Sequence, residues 1–313
     1  MRGLLVVNPR ATTTSPRVID VIVHALSDEL DLDVTVTTHR GHGILLGERA
    51  LEQGLDVVVT LGGDGVVNEV VNGLLSNGIG PDVPLLATIP GGSGNVFARS
   101  LGLPNDAVEA TSYLLESIRT GSDRAIGLGA ANERWFVANA GIGIDAEIIA
   151  AMEQHRKAGH KATPTRYLAT AIDTFFRRTN RRDPALTITR HHPDDAGIER
   201  FEGVFFAFVQ NTSPWTFYGS WPINPCPEAS LDTGLDVFAL RRMHVPTALT
   251  ATRRMITGST RGTARGGIIS WHDQPGFTLT AKRPTALQID GEGIGPTTEV
   301  VFTSHPEALR VIC

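Results

Sequence analysis

The chain is short of cysteine, of positive charge and of long apolar runs. Its 313 residues include 2 cysteines, Cys226 and Cys313. Two widely separated thiols make neither a disulfide framework nor a zinc site, so we expect a reducing compartment. No apolar run approaches the roughly 18 residues of a membrane span, and the N-terminal run is too short for a signal peptide. These absences predict a cytoplasmic protein without a transmembrane segment, which meets a membrane only at its inner surface.

Lysine and arginine number 28 against 33 acidic residues, for a formal net charge of −5 and a pI near 6.1. This balance argues against nucleic acid as a partner, because nucleic-acid binders are usually basic. Residues 1–125 carry a net charge of −7 and the remainder +2. The mildly basic remainder is interpreted as a solvated surface, with contact to anionic lipid headgroups as the alternative.

Hydrophobic patterning divides the chain near residue 125. The first part alternates short apolar strands with helical patterns, which predicts a mostly parallel sheet with helices on both faces. Strands and Gly/Pro turns dominate the second part. The predicted fold class is therefore α/β: a Rossmann-like domain over residues 1–125, followed by a β-sandwich-like domain over residues 126–313. The C-terminal tail is allowed to pack back on the first domain.

A glycine-rich turn, "GGDG" at residues 62–65, follows a buried strand and precedes a helix expected to begin near Val67. Glycines at this place let backbone N–H groups approach phosphate, and the helix N-terminus favours an anion. A carboxylate at Asp64 repels phosphate unless a divalent cation or a substrate hydroxyl lies between them. A tight turn with an N-cap Asp explains the same residues, so this motif alone leaves both interpretations open.

A second turn of the same kind, "GGSGN" at residues 91–95, follows the next predicted strand. Arg99 lies about one helical turn further along. Two such turns after neighbouring strands are expected to converge on one ligand. The pair therefore favours the phosphate-binding interpretation of both turns.

Seven segments follow one another in the order "NPR", "TTHRGH", "GGDGVVNEVVNGL", "PGGSGNVFARSLGLP", "NAGIGIDAEI", "LDTGLDV" and "DGE". With them the chain resembles the diacylglycerol kinase catalytic-domain family, in its bacterial lipid kinase branch, to which sphingosine and ceramide kinases are related. The resemblance spans almost the whole chain, and the two glycine motifs are its specific part. It implies an NAD-kinase/diacylglycerol-kinase-like fold. It also implies transfer of the γ-phosphoryl group of ATP to a hydroxyl of diacylglycerol or a similar lipid at the membrane surface.

The resemblance also implies roles for individual residues. Asp64 and Glu292 are the catalytic candidates, either as the organiser of Mg²⁺ and the reacting groups or as the general base. Asp232 and Asp236 match a region that binds a structural Mg²⁺, and Asp145 matches a contact to the lipid headgroup. The positions expected to contact ATP are Asn8, Thr38, Gly62, Gly63, Gly65, Glu69, Gly92, Ser93, Gly94 and Asn95.

Some segments depart from the family pattern. Val66 stands where a threonine is usual, the first loop reads "NPRAT", and "LDTGLDV" has one acidic residue fewer. The alternatives left open are a sphingoid-base or other lipid kinase, an NAD kinase-like enzyme and a catalytically silent lipid- or nucleotide-binding regulator. The second glycine motif argues against an NAD kinase. The sequence does not decide which lipid is used or whether the protein is a homo-oligomer. The aromatic segment "SPWTFYGSWP" is interpreted either as a lipid contact or as a small satellite core.

Overall fold

The computed structural model describes residues 1–9, 15–143, 146–148, 183–191, 197–218, 221–242, 244–258 and 267–313. The chain forms two compact units: residues 1–128 with 306–313, and residues 129–305. The boundary expected at residue 125 falls within three residues of the first unit's end. The apolar pattern of residues 164–179 predicts one helix, and this segment lies outside the described part of the chain.

The helices of the described residues are α1 (Pro16–Ser27), α2 (His42–Glu52), α3 (Asp64–Leu74), α4 (Val96–Ser100), α5 (Ala107–Thr120) and α6 (Val245–Thr257). The strands are β1 (Arg2–Val7), β2 (Asp31–Val36), β3 (Val57–Gly62), β4 (Leu85–Pro90), β5 (Asp123–Ala131), β6 (Arg134–Phe136), β7 (Asn139–Gly143), β8 (Leu186–His191), β9 (Ile198–Val204), β10 (Phe206–Gln210), β11 (Thr216–Tyr218), β12 (Trp221–Ile223), β13 (Leu235–Leu240), β14 (Ile268–Gln274), β15 (Gly276–Ile289) and β16 (Glu292–Ile312). None of these helices is long and apolar enough to span a membrane.

The first unit contains a parallel sheet in the order β2-β1-β3-β4. Near the C-terminus, Val311 pairs in parallel with Leu86 of β4. The strand order changes direction between β1 and β3, and ligands in open α/β sheets bind at such a switch point, beyond the carboxyl ends of the strands. Asn8 follows β1 there, and its N–H donates to the Leu61 carbonyl at 3.0 Å. The Rossmann-like architecture predicted from the sequence is confirmed.

Helix α3 is held against α2 by close backbone packing between two glycines. A Cβ placed on Gly73 would lie 2.1 Å from the Ile44 carbonyl oxygen, and one on Gly47 would lie 2.6 Å from the Val70 carbonyl oxygen. Only residues without a Cβ allow this approach. The packing fixes the direction in which α3 leaves the turn after β3.

The second unit is rich in antiparallel sheet, as predicted. Its strands run in the order β14-β13-β10-β7-β15, with β8 and β9 paired beside β15 and the hairpin β11–β12 separate. The apolar segments "FTLTA" and "ALQI" of the sequence belong to the single strand β15. Phe136, Leu279 and Phe302 are among the fully buried residues of its core.

Candidate active site

The two glycine turns of the first unit lie in direct backbone contact. Gly91 N–H donates to the Gly62 carbonyl at 2.7 Å. A Cβ on Gly92 would lie 2.6 Å from Gly63 Cα, which is closer than any real Cβ contact. The approach of a phosphate is the reason for these glycines that the sequence predicts. The structure gives Gly63 and Gly92 an internal reason as well, because the two turns could not touch with larger residues.

Gly94 is the exception among these glycines. A Cβ there would meet its nearest atom, Asp64 Oδ2, at 3.4 Å, which is an ordinary van der Waals distance. Its backbone also lies outside the left-handed region. Among the residues that the structure describes, none accepts a hydrogen bond from the N–H of Ser93 or Gly94. The turn therefore offers free donors at a position where packing within the chain does not require glycine.

Asp64 is the first residue of α3, so the helix begins three residues earlier than predicted. Its carboxylate accepts hydrogen bonds from the backbone N–H groups of Val96 at 3.1 Å and Phe97 at 2.9 Å. Asp64 thus caps α4, a helix formed by a different part of the chain. Burial raises the pKa of the carboxyl above its ordinary 3.8, opposed by the hydrogen bonds from Phe97 and Val96.

Asn95 shapes the second turn from within. Its backbone is left-handed, with φ of 49°. Its side chain accepts from Gly92 N–H at 2.8 Å and donates to the Gly92 carbonyl at 2.9 Å and to Asn105 Oδ1 at 3.0 Å. These bonds occupy the amide, so a direct contact between Asn95 and nucleotide stays a prediction.

Glu69 has a comparable role on the other side of α3. Its buried carboxylate accepts from Gly41 N–H at 2.7 Å, at the N-cap of α2, and from Gly43 N–H at 2.8 Å, in the first turn of that helix. A Cβ on Gly43 would lie 2.8 Å from Glu69 Oε2, so the glycine makes this bond possible. In the structure, the Glu69 side chain fixes the N-terminus of α2. As a nucleotide contact it stays a prediction.

Thr38 lies in an exposed group with two histidines that the sequence analysis did not single out. Thr38 Oγ1 is 2.9 Å from Nδ1 of His39 and 3.3 Å from Nδ1 of His42, and Thr38 N–H donates to His42 Nδ1 at 3.2 Å. The two imidazole rings stack with centroids 5.0 Å apart. The spacing of the histidines at the start of α2 was the available signal, but their stacking depends on the turn at Gly41.

In the second unit, the predicted catalytic Glu292 is the first residue of β16. Its Oε2 lies 3.6 Å from Nη2 of Arg134, and its side chain is partly buried. The turn before it is held by Asp290, whose carboxylate accepts from the N–H groups of Val137, Ala138 and Asn139, each at 2.9 Å. Asp290 is buried, and its backbone lies in the left-handed region, with φ of 45°. The first residue of "DGE" is therefore a structural anchor for the third.

A chain of side-chain amides continues from this anchor. Gln288 Oε1 accepts from Gly291 N–H at 2.9 Å, and its Nε2 donates to Asn139 Oδ1 at 3.2 Å. Asn139 Nδ2 then donates to the Trp215 carbonyl at 3.0 Å. The sequence motif "NAGIGIDAEI" begins with this asparagine. Its role in the described structure is to connect β7, β15 and the segment before the hairpin.

The two carboxylates predicted as metal ligands have other partners. Asp236 is buried, and its Oδ1 accepts from Asp273 N–H at 3.0 Å and lies 2.8 Å from His272 Nδ1. Asp232 is exposed and lies beside Ser230, with Oδ2 3.4 Å from the hydroxyl. The described ranges contain no group of three or more His, Cys, Asp or Glu residues that fits a metal ion. A structural Mg²⁺ at Asp232 and Asp236 stays a prediction. Asp145, the predicted headgroup contact, lies outside the described residues.

Comparison with known sequences supports the resemblance of the first unit to the diacylglycerol kinase catalytic domain. Residues 2–131 match the diacylglycerol kinase catalytic domain. A diacylglycerol kinase of Staphylococcus haemolyticus is 34% identical over 118 residues, 38% of this chain and 34% of that protein. A diacylglycerol kinase of Staphylococcus aureus is 38% identical over 97 residues, 31% of this chain and 29% of that protein. The chain thus matches about a third of the length of these curated relatives.

Solved structures extend the family's fold likeness to the whole chain. A diacylglycerol kinase from Bacillus anthracis superposes with a TM-score of 0.72 at 19% identity, covering 99% of this chain and 96% of the other. An NAD kinase from Archaeoglobus fulgidus in complex with ATP gives 0.51 at 10% identity, covering 100% and 94%. At these identities the likeness concerns the fold alone. Both units of the chain follow the fold of the diacylglycerol kinase structure.

Proposed function

We propose that the protein is an ATP-dependent lipid kinase that transfers the γ-phosphoryl group to a hydroxyl of diacylglycerol or a similar lipid. The observation that carries the proposal is the turn at Ser93 and Gly94, with its two free N–H groups. Packing does not require glycine at residue 94, whereas the close approach of a phosphate does. The turn also lies after β4, beside the switch point of the sheet, where nucleotides bind in folds of this class.

In this proposal the chain's own residues position the reactants. The amides of Gly65, Ser93 and Gly94 would hold the phosphates of ATP, which supplies the phosphoryl group when it is bound. Phosphoryl transfer needs in-line positioning and charge neutralisation more than covalent help from the protein. Asp64 keeps the two turns together through its bonds to α4. Its oxygens retain lone pairs that face neither amide.

Glu292 is the proposed general base for the lipid hydroxyl. A carboxylate within hydrogen-bond reach of the attacking hydroxyl removes its proton as the phosphorus–oxygen bond forms. The carboxyl-anchored turn at Asp290 holds the backbone from which Glu292 projects. Mg²⁺ belongs to the proposal as an ion that arrives with the nucleotide. We also propose a cytoplasmic protein that reaches its acceptor at the inner membrane surface.

The test is phosphorylation of a panel of hydroxyl acceptors by the purified full chain with γ-labelled ATP and Mg²⁺. The panel contains a short-chain diacylglycerol, a monoacylglycerol, sphingosine, ceramide and NAD. We expect label in the diacylglycerol above that in the other acceptors. Label in sphingosine alone would change the lipid class, and label in NAD alone would replace the proposal with the alternative enzyme. Absence of label from every acceptor, with ATP bound, would support the silent regulator and overturn the kinase.

A further inference from the structure

Helix α6 exposes a row of large apolar side chains. The residues it buries include Thr247, Ala251 and Arg254. Leu249 is 66% exposed, Ile256 51% and Val245 47%. At 100° per residue these three apolar side chains lie within about 40° of one another around the helix. A surface helix of a monomeric soluble protein normally has polar residues on its outer face, so this exposed apolar row indicates an apolar partner.

A further exposed apolar side chain lies on the hairpin next to this helix. Trp221, the first residue of β12, is 69% exposed. The strand ends at Ile223, and the next residue, Asn224, donates its N–H to the Met255 carbonyl at 2.6 Å. The hairpin β11–β12 is therefore attached to the last turns of α6. Tryptophan is the side chain most typical of the boundary between water and lipid.

The sequence of α6 and its flanks is positively charged, although the whole chain is acidic. The segment 241–265 contains six arginines and no aspartate or glutamate, in a chain of net charge −5. Among its described arginines, Arg241, Arg242 and Arg253 are exposed. Arg253 lies four residues after Leu249 and three before Ile256, so it shares their side of the helix. A surface that is apolar and cationic at once is complementary to an anionic phospholipid surface.

We propose that Val245, Leu249, Arg253 and Ile256 of α6, together with Trp221, form a docking face for the surface of an anionic phospholipid bilayer. The apolar side chains enter the boundary between headgroups and acyl chains, and the arginines pair with lipid phosphates. Membrane binding by the docking face depends only on the exposure and charge of these residues. Its use in bringing the enzyme to a lipid acceptor rests on the proposed function. A second copy of the chain is the other apolar partner, and the arginines argue against it because they would face one another across a symmetric contact.

The test is sedimentation of the full-length protein with vesicles of phosphatidylcholine, with and without phosphatidylglycerol. We expect binding only to the anionic vesicles and weaker binding as salt is raised. The double variant Leu249→Glu/Ile256→Glu should lower the partition by about tenfold or more, because two apolar anchors are replaced by charges that the bilayer repels. Arg253→Glu should lower it and flatten its dependence on salt. Val21→Glu is the matched control, since Val21 is an exposed apolar residue on a helix of the other unit.

Tryptophan fluorescence supplies an independent measurement. The chain has 4 tryptophans, so the difference between the parent and Trp221→Phe isolates the signal of Trp221. We expect a blue shift on adding anionic vesicles, and quenching by brominated acyl chains. Equal vesicle binding by the parent and by the double variant would overturn the docking face. It would also be overturned if the double variant lost self-association by light scattering while keeping its vesicle binding.

Failure of the docking face is distinguishable from failure of the proposed function. With a short-chain diacylglycerol in monomeric solution, the double variant should turn over as fast as the parent. With diacylglycerol embedded in anionic vesicles, its rate should fall with its binding. If the parent phosphorylates nothing, the kinase proposal fails, and sedimentation still decides whether the face binds lipid.

Discussion

Asp64 caps Phe97, a residue 33 positions later in the chain, with 2.9 Å between the carboxylate Oδ1 and the backbone nitrogen. The bond ties the turn after β3 to the helix after β4. A carboxylate in the first glycine turn, which is unfavourable beside phosphate, thus has a structural partner within the chain. This relationship changes how a substitution of Asp64 has to be interpreted.

Replacing Asp64 with alanine should reduce both stability and activity. Alanine leaves the Val96 and Phe97 amides without their acceptor, which costs about 1–2 kcal/mol of unfolding free energy. Asparagine keeps one acceptor oxygen and faces the other amide with an N–H donor, so Asp64→Asn should fall between Asp64→Ala and the parent in its free energy of unfolding. We expect its kcat to fall by about a hundredfold or more, since the negative charge is gone. Urea unfolding and initial rates on both variants check this. Full activity in Asp64→Asn would show that Asp64 caps α4 and has no role in catalysis.

Gly94 and Gly92 should respond in opposite ways to alanine. Gly94→Ala should fold with parental stability but lose about tenfold or more in ATP affinity, because the Cβ displaces a phosphate from a backbone donor. Gly92→Ala should lose about 1–3 kcal/mol of stability, because its Cβ would collide with Gly63. Nucleotide titration by calorimetry and thermal unfolding distinguish the two effects. Unchanged ATP affinity in Gly94→Ala would place the phosphates elsewhere.

Glu292→Gln should be inactive and well folded. Loss of a general base lowers kcat by about 10²–10⁴-fold, whereas loss of a partly exposed ion pair costs less than about 1 kcal/mol. The KM for ATP should stay near that of the parent. Arg134→Gln is the matched control, because it breaks the same ion pair and keeps the carboxylate. If both variants lost activity equally, the ion pair and not the base would be responsible.

Asp290→Ala should be among the most destabilising single changes in the second unit. Three backbone N–H groups would lose a charged acceptor in a buried position, which we expect to cost about 3 kcal/mol or more. Asp290→Asn keeps one acceptor oxygen, so its free energy of unfolding should fall between those of Asp290→Ala and the parent. Asp232→Ala, at an exposed carboxylate, should change stability by less than about 0.5 kcal/mol. Urea denaturation of the three variants measures the order of their unfolding free energies.

Asp236 should make stability depend on pH in the direction opposite to a usual carboxylate. Burial raises its pKa above the ordinary 3.8, with the bonds from Asp273 and His272 opposing. The folded state then holds its proton more tightly than the unfolded state, so the favourable contribution is complete below pH 3.8 and is lost as pH rises through the raised pKa.

The comparison with Asp236→Asn, which stays neutral, isolates this contribution. As pH rises through that window, the difference in unfolding free energy should move against the parent and then level off. A difference that moved in the parent's favour would contradict the assignment. Adding Mg²⁺ at neutral pH tests the metal hypothesis in the same experiment, because an ion held by Asp232 and Asp236 would stabilise only the parent.

The alternation of apolar runs was sufficient to predict the first unit. Strands β1, β3 and β4 are buried on both faces, and such runs are distinctive in a sequence. The start of α3 was missed because Asp64 and Gly65 are typical turn residues. An acidic residue is favourable in a first helical turn, and this effect placed the start at Asp64.

The bonds that connect elements were beyond the reach of the sequence. Asp64 caps α4 and Glu69 caps α2, and each cap joins residues that are 26 or more positions apart. Neither spacing follows a local rule, because the partners meet only when the helices pack. The same holds for Asp290, whose partners at residues 137–139 lie about 150 positions away. In "DGE" the contacts identify Asp290 as the anchor of the turn, whereas Glu292 as the base stays a prediction.

The cap on α4 also bears on the order in which the chain folds. A helix of five residues is far too short to persist alone in water, and its first amides here depend on a side chain from α3. The turn at Ser93 and Gly94 can therefore take its shape only after β3, α3 and β4 have come together. We expect amide hydrogen exchange at Val96 and Phe97 to become protected later in refolding than exchange within β3.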